Sequence, residues 1–248
     1  MFIDTHLHLA DESDQYIDNI ISEAKECGLK YMIIAGTNYE DNIRNFDIIN
    51  KYDLVYGAIG FHPEEVLNVD DKIVSFIENN INNKKIVAIG EIGLDYYYDK
   101  SLRDEQIELF EKQLKLAEKY NMPVVIHSRE ATKDTIDILS KYKVKGVIHC
   151  FSGSLEVCKQ YIKMGYLIGV GGVLTFKNSK LKDVIKEISL DNIVLETDSP
   201  FLSPIRGDKN NSKNILIVAK YISQLKNISL DEVLEKTTLN AMKLFDLK

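Results

Sequence analysis

The chain has no run approaching the roughly eighteen consecutive apolar residues that a membrane-spanning helix needs, which excludes such a span. Its start, MFIDTHLHLA, has no basic leading segment and carries Asp4, His6 and His8, so it does not read as a secretory signal. Basic residues are in deficit: 31 Lys and Arg against 38 Asp and Glu leave a formal net charge of -7. That argues against nonspecific nucleic-acid binding through a basic surface. It leaves room for an anionic substrate, because bound cations can dominate the field of a site. Cysteine is scarce and odd in number: Cys27, Cys150 and Cys158 lie scattered. This excludes a disulfide framework and points to buried thiols in a reducing cytoplasm. No long linker, low-complexity tract, charge block or short-period repeat divides the 248 residues.

What is present is alternation. Short β-branched runs at 1–5, 30–36, 54–60, 86–92, 123–127, 145–150, 166–171 and 192–197 read as eight strands. Helical patterns lie between them. In 102–120, Ile107, Phe110, Leu114 and Ala117 recur at helical spacing; in 14–27, Tyr16, Ile20, Ile21 and Ala24 do so, with Gly28 at the end. Ser229 and Glu232 have the spacing of a capping box ahead of a last helix. Eight βα units in this length predict an α/β chain folded as a TIM-type (β/α)8 barrel, one domain over 1–248. The rival, a doubly wound open sheet, usually has a glycine-rich phosphate loop after strand one; here that place reads THLHLADES, without glycine.

The five histidines are His6, His8, His62, His127 and His149, and each falls at or just beyond the C-terminal end of a candidate strand. In a barrel this is the face that carries active sites. Strand side chains alternate, so His6 and His8 point the same way. Glu91 in AIGEIG and Asp198 in VLETD reach the same rim. A lone histidine at a strand end is commonly a hydrogen-bonded structural residue; five on one rim with none elsewhere read as a metal centre. Mixed imidazole and carboxylate ligands suit Zn, Mn, Fe or Ni, and carboxylate-rich sets also hold Mg. His6, His8, Glu91, His127, His149 and Asp198 exceed the needs of one tetrahedral ion, so two divalent ions are expected.

Other signals are softer. Cys150 follows His149 in a strand, so the two face opposite ways and Cys150 reads as core. Tyr96, Tyr97 and Tyr98 either stack on a base or pack a loop over the barrel. Glu196, on the strand face of Asp198, either orients a ligand, touches substrate, or sits as a buried barrel residue. Gly90, Gly93, Gly171 and Gly172 read as turn and close-packing residues. Arg206 and Lys209 either grip phosphate or sit in a solvated loop.

Taken in order, FIDTHLHL, GFHP, GEIGLDYY, VIHSREA, HCFSG and ETDSPFLSP resemble the motifs of the TatD deoxyribonucleases, metal-dependent hydrolases of the amidohydrolase-like barrels. The resemblance extends through the terminal TTLNAMKLF. It implies a TIM-type barrel, a divalent-metal centre with Mg or Mn foremost, and hydrolysis of DNA phosphodiesters, exonucleolytically. By position, His6 and His8 resemble ligands of one ion, Glu91 the bridging carboxylate, and His127 and His149 ligands of the second ion. Asp198 resembles the aspartate that ligates metal and takes a proton from the attacking water; His62 resembles a histidine beside the substrate phosphate. Arg206 and Asn210 resemble substrate contacts. The chain departs from the pattern in SPIRGDKNNSKN, which is shorter than usual and has Ser212 where a proline is expected.

The function expected is therefore a metal-dependent deoxyribonuclease acting in the cytoplasm on DNA, with neither a membrane nor an obligate protein partner. Two alternatives stand beside it. The same centre would polarise a carbonyl in an amidohydrolase, esterase or deacylase acting on a small molecule or aminoacyl ester. A non-catalytic barrel scaffold would lack ligand residues, and all six are present.

Overall fold

In the computed structural model, which describes residues 1–97 and 99–248, strands and helices alternate along the whole chain. The order is β1 (Phe2–Leu7), α1 (Asp14–Glu26), β2 (Leu29–Ala35), α2 (Tyr39–Lys51), β3 (Val55–Ile59), α3 (Lys72–Asn80), β4 (Ile86–Asp95), α4 (Arg103–Tyr120) and β5 (Val124–Arg129). It continues with α5 (Thr132–Leu139), β6 (Gly146–Ile148), α6 (Leu155–Lys163), β7 (Leu167–Val170), α7 (Leu181–Glu187), β8 (Ile193–Leu195), α8 (Ile215–Lys226) and α9 (Leu230–Phe245). All eight expected strands form. Their order in the sheet is sequential, β1 through β8. This is the (β/α)8 barrel class, in which each crossover helix returns the chain to a parallel neighbour.

The chain forms two compact units: Met1–Ile34 with His149–Lys248, and Ala35–Ile148. In the first, β1 pairs with β2 and β7 with β8, all parallel. A further parallel bridge, Leu7 to Ser199, sets the end of β1 beside the chain leaving β8. In the second, β3, β4, β5 and β6 pair in parallel in that order. Strands buried on both faces need continuous apolar runs, and β4, β5 and β6 supply them with Ala88, Ile89, Val124, Val125, Ile126 and Val147, none more than 2% exposed.

Helix starts follow their caps. The Ser13 hydroxyl accepts the Tyr16 N–H at α1, and Ser229 accepts the Glu232 N–H at α9 as expected. On α1 the buried face is Ile17, Ile20, Ile21 and Ala24; Tyr16 lies at its edge, under the ammonium of Lys209. On α4 the buried face includes two amides, Gln106 and Gln113, among Leu109, Phe110, Leu114 and Ala117, while Ile107 is only half-buried. The expectation that all three cysteines are buried fails: Cys158 is buried, Cys150 is half-buried and Cys27 is exposed. Among the described residues no helix is long and apolar enough to cross a membrane.

Candidate functional site

The first unit gathers His6, His8, His149 and Asp198. His6 and His8 lie two residues apart on one face, and their Nε2 atoms approach to 3.2 Å. Asp198 Oδ1 lies 3.7 Å from His6 Nε2 and 3.5 Å from His8 Nε2. The His149 ring stacks on His6 at 3.9 Å between centroids. One ligand atom from each of His6, His149 and Asp198 falls within 4.8 Å of the others, a spacing able to hold a metal ion. The resemblance paired His149 with His127; within its own unit His149 groups with His6 and Asp198, and the chain turns after Ile148, where β6 ends. That turn puts Cys150 in the left-handed region at φ 45 and out of the strand, so strand alternation does not govern its side chain.

Two left-handed residues, Cys150 and Asp198, follow or form the rim, and each is held by a bond to a fixed acceptor. The Cys150 N–H donates to Glu196 Oε1, and the Asp198 N–H donates to the His6 carbonyl at 2.9 Å. Backbone held at such φ values commonly costs about 1–3 kcal/mol and persists where the surroundings over-determine it. Glu196 is fully buried, with Oε1 3.5 Å from His149 Nδ1. Substrate contact by Glu196 is thereby corrected: the carboxylate backs His149 and fixes the turn beside it. Gly169 makes room for it, since a Cβ there would sit 2.3 Å from Glu196 Oε2.

Beneath this cluster lies Asp4, a residue the motif reading did not single out. Asp4 accepts from the Thr197 N–H at 3.0 Å, the Thr197 hydroxyl at 2.7 Å and the Ser212 hydroxyl at 2.7 Å. Ser212 is the residue standing where the family resemblance leads one to expect proline, and its hydroxyl is what ties the late loop to β1. Burial pushes the Asp4 carboxyl from 3.8 up to about 7, against the lowering by Ser212, Thr197 and the His6 N–H. A carboxyl raised on folding contributes stability that is fully present below 3.8 and is lost as pH rises through about 7. In chelated protein, urea unfolding of wild type and Asp4→Asn across that range should show the difference moving against the wild type as pH rises. A constant difference would remove Asp4 titration from the account.

The second unit gathers His62, Glu91, Asp95 and His127. Glu91 Oε1 lies 2.9 Å from His127 Nδ1 and 3.7 Å from His62 Nε2. His62 and His127 rings meet edge to face at 4.5 Å. His62, Glu91 and His127 form a second group with ligand atoms within 4.8 Å. His62, expected beside the substrate phosphate, is thus also within ligand reach. The other ring nitrogen, His127 Nε2, lies 2.9 Å from Asp95 Oδ2. Burial raises the Asp95 carboxyl, but hydrogen bonds from His127 and the Tyr97 N–H, with the charges of His127 and Arg129, hold it below its ordinary value. Close packing of β4 on β5 makes these contacts: a Cβ at Gly93, at φ +146, would sit 1.9 Å from the His127 carbonyl oxygen.

Two glutamines on α4 set the backbone of this cluster. Gln106 Oε1 accepts the Asp95 N–H at 2.9 Å and its Nε2 donates to the Asp95 carbonyl at 2.8 Å. Gln113 does the same for Phe61, the residue before His62, at 2.9 Å both ways. Gln106→Leu would leave both Asp95 backbone groups without these partners, at about 1–3 kcal/mol for each buried group left unpaired. Urea midpoints of wild type and variant check this; an unchanged midpoint would mean that solvent replaces the amide.

Tyr96 packs, 8% exposed, with its hydroxyl donating to Asp134 at 2.9 Å. Tyr97 is exposed, with the Arg129 guanidinium 3.7 Å from its ring centroid. Tyr98 lies outside the described residues. Lys209 is engaged by Glu12 at 2.5 Å rather than held out as a phosphate grip, while Arg206 is exposed. Asn210, expected at substrate, is 1% exposed and donates to the carbonyls of Thr197 and Phe201 at 2.7 and 2.8 Å, so it staples the loop instead.

Both clusters fit a divalent cation by their donors, imidazoles and carboxylates converging from strand ends. In the first, burial raises the Asp198 carboxyl, but the hydrogen bond from His8 and the charges of His149, His6 and His8 hold it below its ordinary value. It is therefore ionised at neutral pH, as a ligand must be.

Residues 3–246 match the family described as TatD related DNase. The uncharacterized metal-dependent hydrolase YabD of Bacillus subtilis is 39% identical over 252 residues, covering 99% of each chain. The uncharacterized metal-dependent hydrolase YcfH of Escherichia coli is 31% identical, covering 99% of this chain and 96% of that one. Among solved structures, the TatD homolog YjjV of Escherichia coli is similar at a TM-score of 0.94 and 30% identity, covering 100% of this chain and 98% of that one.

Proposed function

The chain belongs to the TatD-related DNase family of metal-dependent hydrolases, and from that premise we propose that it hydrolyses phosphodiester bonds of DNA, working from a strand end. The observation that supports this reading most is the presence of two histidine–carboxylate groups, His6/His149/Asp198 and His62/Glu91/His127, each with the spacing a cation requires. Phosphodiesters resist hydrolysis because the phosphate is anionic and the alkoxide leaves poorly. When bound, a divalent cation, Mg or Mn here, would neutralise a nonbridging oxygen and lower the pKa of water.

The chain's own residues do the rest. His6, His8, His149 and Asp198 would hold one ion; Glu91 and His127, with His62 in reach, would hold the other. Asp198 also accepts the proton of the attacking water at its carboxylate, the role of a general base. His62 steadies charge on the phosphate or protonates the leaving oxygen. Glu196 and Asp95 do not touch substrate; they fix the orientation of His149 and His127, as carboxylates commonly do for ligand histidines. Arg206, exposed after β8, contacts a phosphate farther along the strand.

A second reading, hydrolysis of a small amide or ester, is favoured by one observation, the net charge of -7. Parallel assays on single-stranded DNA and on an amide and ester panel, with Mg or Mn supplied, separate the two. The proposal expects turnover of DNA well above turnover of the panel, and the reverse would replace it.

A further inference from the structure

The loop after β8 holds an aromatic ring in solvent beside the Asp198 cluster. Phe201 is 59% exposed, and its ring centroid lies 6.2 Å from that of His8. Its backbone is pinned on both sides. The Phe201 N–H donates to the Asp198 carbonyl at 2.8 Å, and the Phe201 carbonyl accepts from Asn210 Nδ2 at 2.8 Å. The same Asn210 nitrogen donates to the Thr197 carbonyl at 2.7 Å, and the Asn210 N–H donates to the Pro200 carbonyl at 3.1 Å. Asn210 Oδ1 in turn accepts from Asn214 Nδ2 at 2.9 Å and from the Asn211 N–H at 3.0 Å. A buried side-chain amide is thus spent wholly on fixing the segment from Thr197 to Phe201. Asp198 and the Phe201 ring are carried by one short, doubly tied turn.

A lone exposed ring is ordinary in itself; here its backbone is tied on both sides, next to Asp198, which limits where the ring can go and preorganises it for a ligand. The ligand must present a flat apolar face within one residue's length of an anion bound at the His6–His8–Asp198 group. A nucleotide has both. We infer that Phe201 is the stacking platform for the nucleobase next to the scissile phosphate, and that Asn210 is the positioning residue that aims it. This rests on the DNA reading above and deepens it. Stacking is tolerant of sequence because every base has a π face. It also suits this chain's charge: with a net charge of -7, little affinity comes from neutralising backbone phosphates, so stacking carries a larger share. A base seated on Phe201 has left its neighbour in the stack, so unpaired ends are favoured over duplex interior.

The test is a two-by-two comparison of kcat/KM with Mg. The substrates are a single-stranded oligonucleotide and the same strand with one tetrahydrofuran abasic nucleotide beside the scissile phosphate; the enzymes are wild type and Phe201→Ala. Wild type should lose roughly 10-fold on the abasic strand, the scale of one stacked base. Phe201→Ala should lose about as much on the intact strand and show no further loss on the abasic one. Phe201→Trp should restore the dependence on the base. Asn210→Ala should lower the same coupling, provided thermal unfolding shows it folded. Losses that are equal on both strands overturn the platform while leaving DNA hydrolysis standing. Failure of wild type to cleave either strand overturns the DNA reading, and the platform with it. The ring is exposed, so Phe201→Ala keeps the fold; concentration-dependent association lost in that variant, with no coupling to the base, would assign the ring to contacts between copies of the chain instead.

Discussion

Asp198→Asn is expected to slow the chemical step of DNA cleavage by roughly 100-fold or more, the usual scale for removal of a general base. The change keeps shape and volume and removes the charge. In the protein that charge is matched by three imidazoles: His6 and His8 within 3.7 and 3.5 Å, and His149 stacked on His6. Burial raises the carboxyl, but the His8 hydrogen bond and the surrounding histidines hold it below its ordinary value, so at neutral pH the wild-type group is ionised. An amide in its place neither accepts a proton nor balances a cation. The left-handed backbone at Asp198 is tied through its own N–H to the His6 carbonyl, a bond the substitution leaves intact. The loss should therefore appear in single-turnover cleavage, with a much smaller change in DNA binding and with metal content measured alongside. A variant retaining a near-normal single-turnover rate would take Asp198 out of the mechanism.

Chelation should bring DNA cleavage below detection, and added Mg or Mn should restore it. The expectation follows from the donor sets rather than from any one residue. His127 has a carboxylate against each ring nitrogen, Glu91 at Nδ1 and Asp95 at Nε2, both at 2.9 Å. His127→Ala would leave those two buried carboxylates without the imidazole between them, weakening any cation held there and lowering bound metal by elemental analysis. His6→Ala should do the same for the other cluster, since His6 touches His8, His149 and Asp198. Rim residues contribute little to a barrel's core, so both variants should remain folded by circular dichroism. Full activity in protein shown to be metal-free would contradict the assignment of both clusters, and unchanged metal content in the two variants would contradict the ligand sets.

The features of fold and site legible in the sequence are those carried by local pattern. Eight β-branched runs became eight strands because parallel strands buried on both faces need unbroken apolar sequence. His6, His8, Glu91, His127, His149 and Asp198 could be placed near strand ends because the apolar runs stop there. What was hidden depends on contacts between distant segments. Asp95 was missed because β4 runs on to Asp95, past the Ile92 at which the apolar pattern weakens; its spacing of four from Glu91 puts both on one strand face. Gln106 and Gln113, spaced by two helical turns on α4, carry a signal only once the backbone they bracket is known. Cys150 was misplaced because alternation was extended through a residue that is in fact left-handed. Glu196, Asn210 and Ser212 are polar residues that substrate could have claimed; the fold claims them, because each answers a buried donor or acceptor far away in sequence.

The most direct test of the central claim is digestion of end-labelled single-stranded DNA by the metal-supplemented protein, with product lengths resolved over time and Asp198→Asn run in parallel. Progressive shortening from one end is expected, dependent on added Mg or Mn, abolished by chelation and nearly absent in the variant. Intact DNA at every metal tested, from protein that hydrolyses an amide or ester under the same conditions, would contradict it.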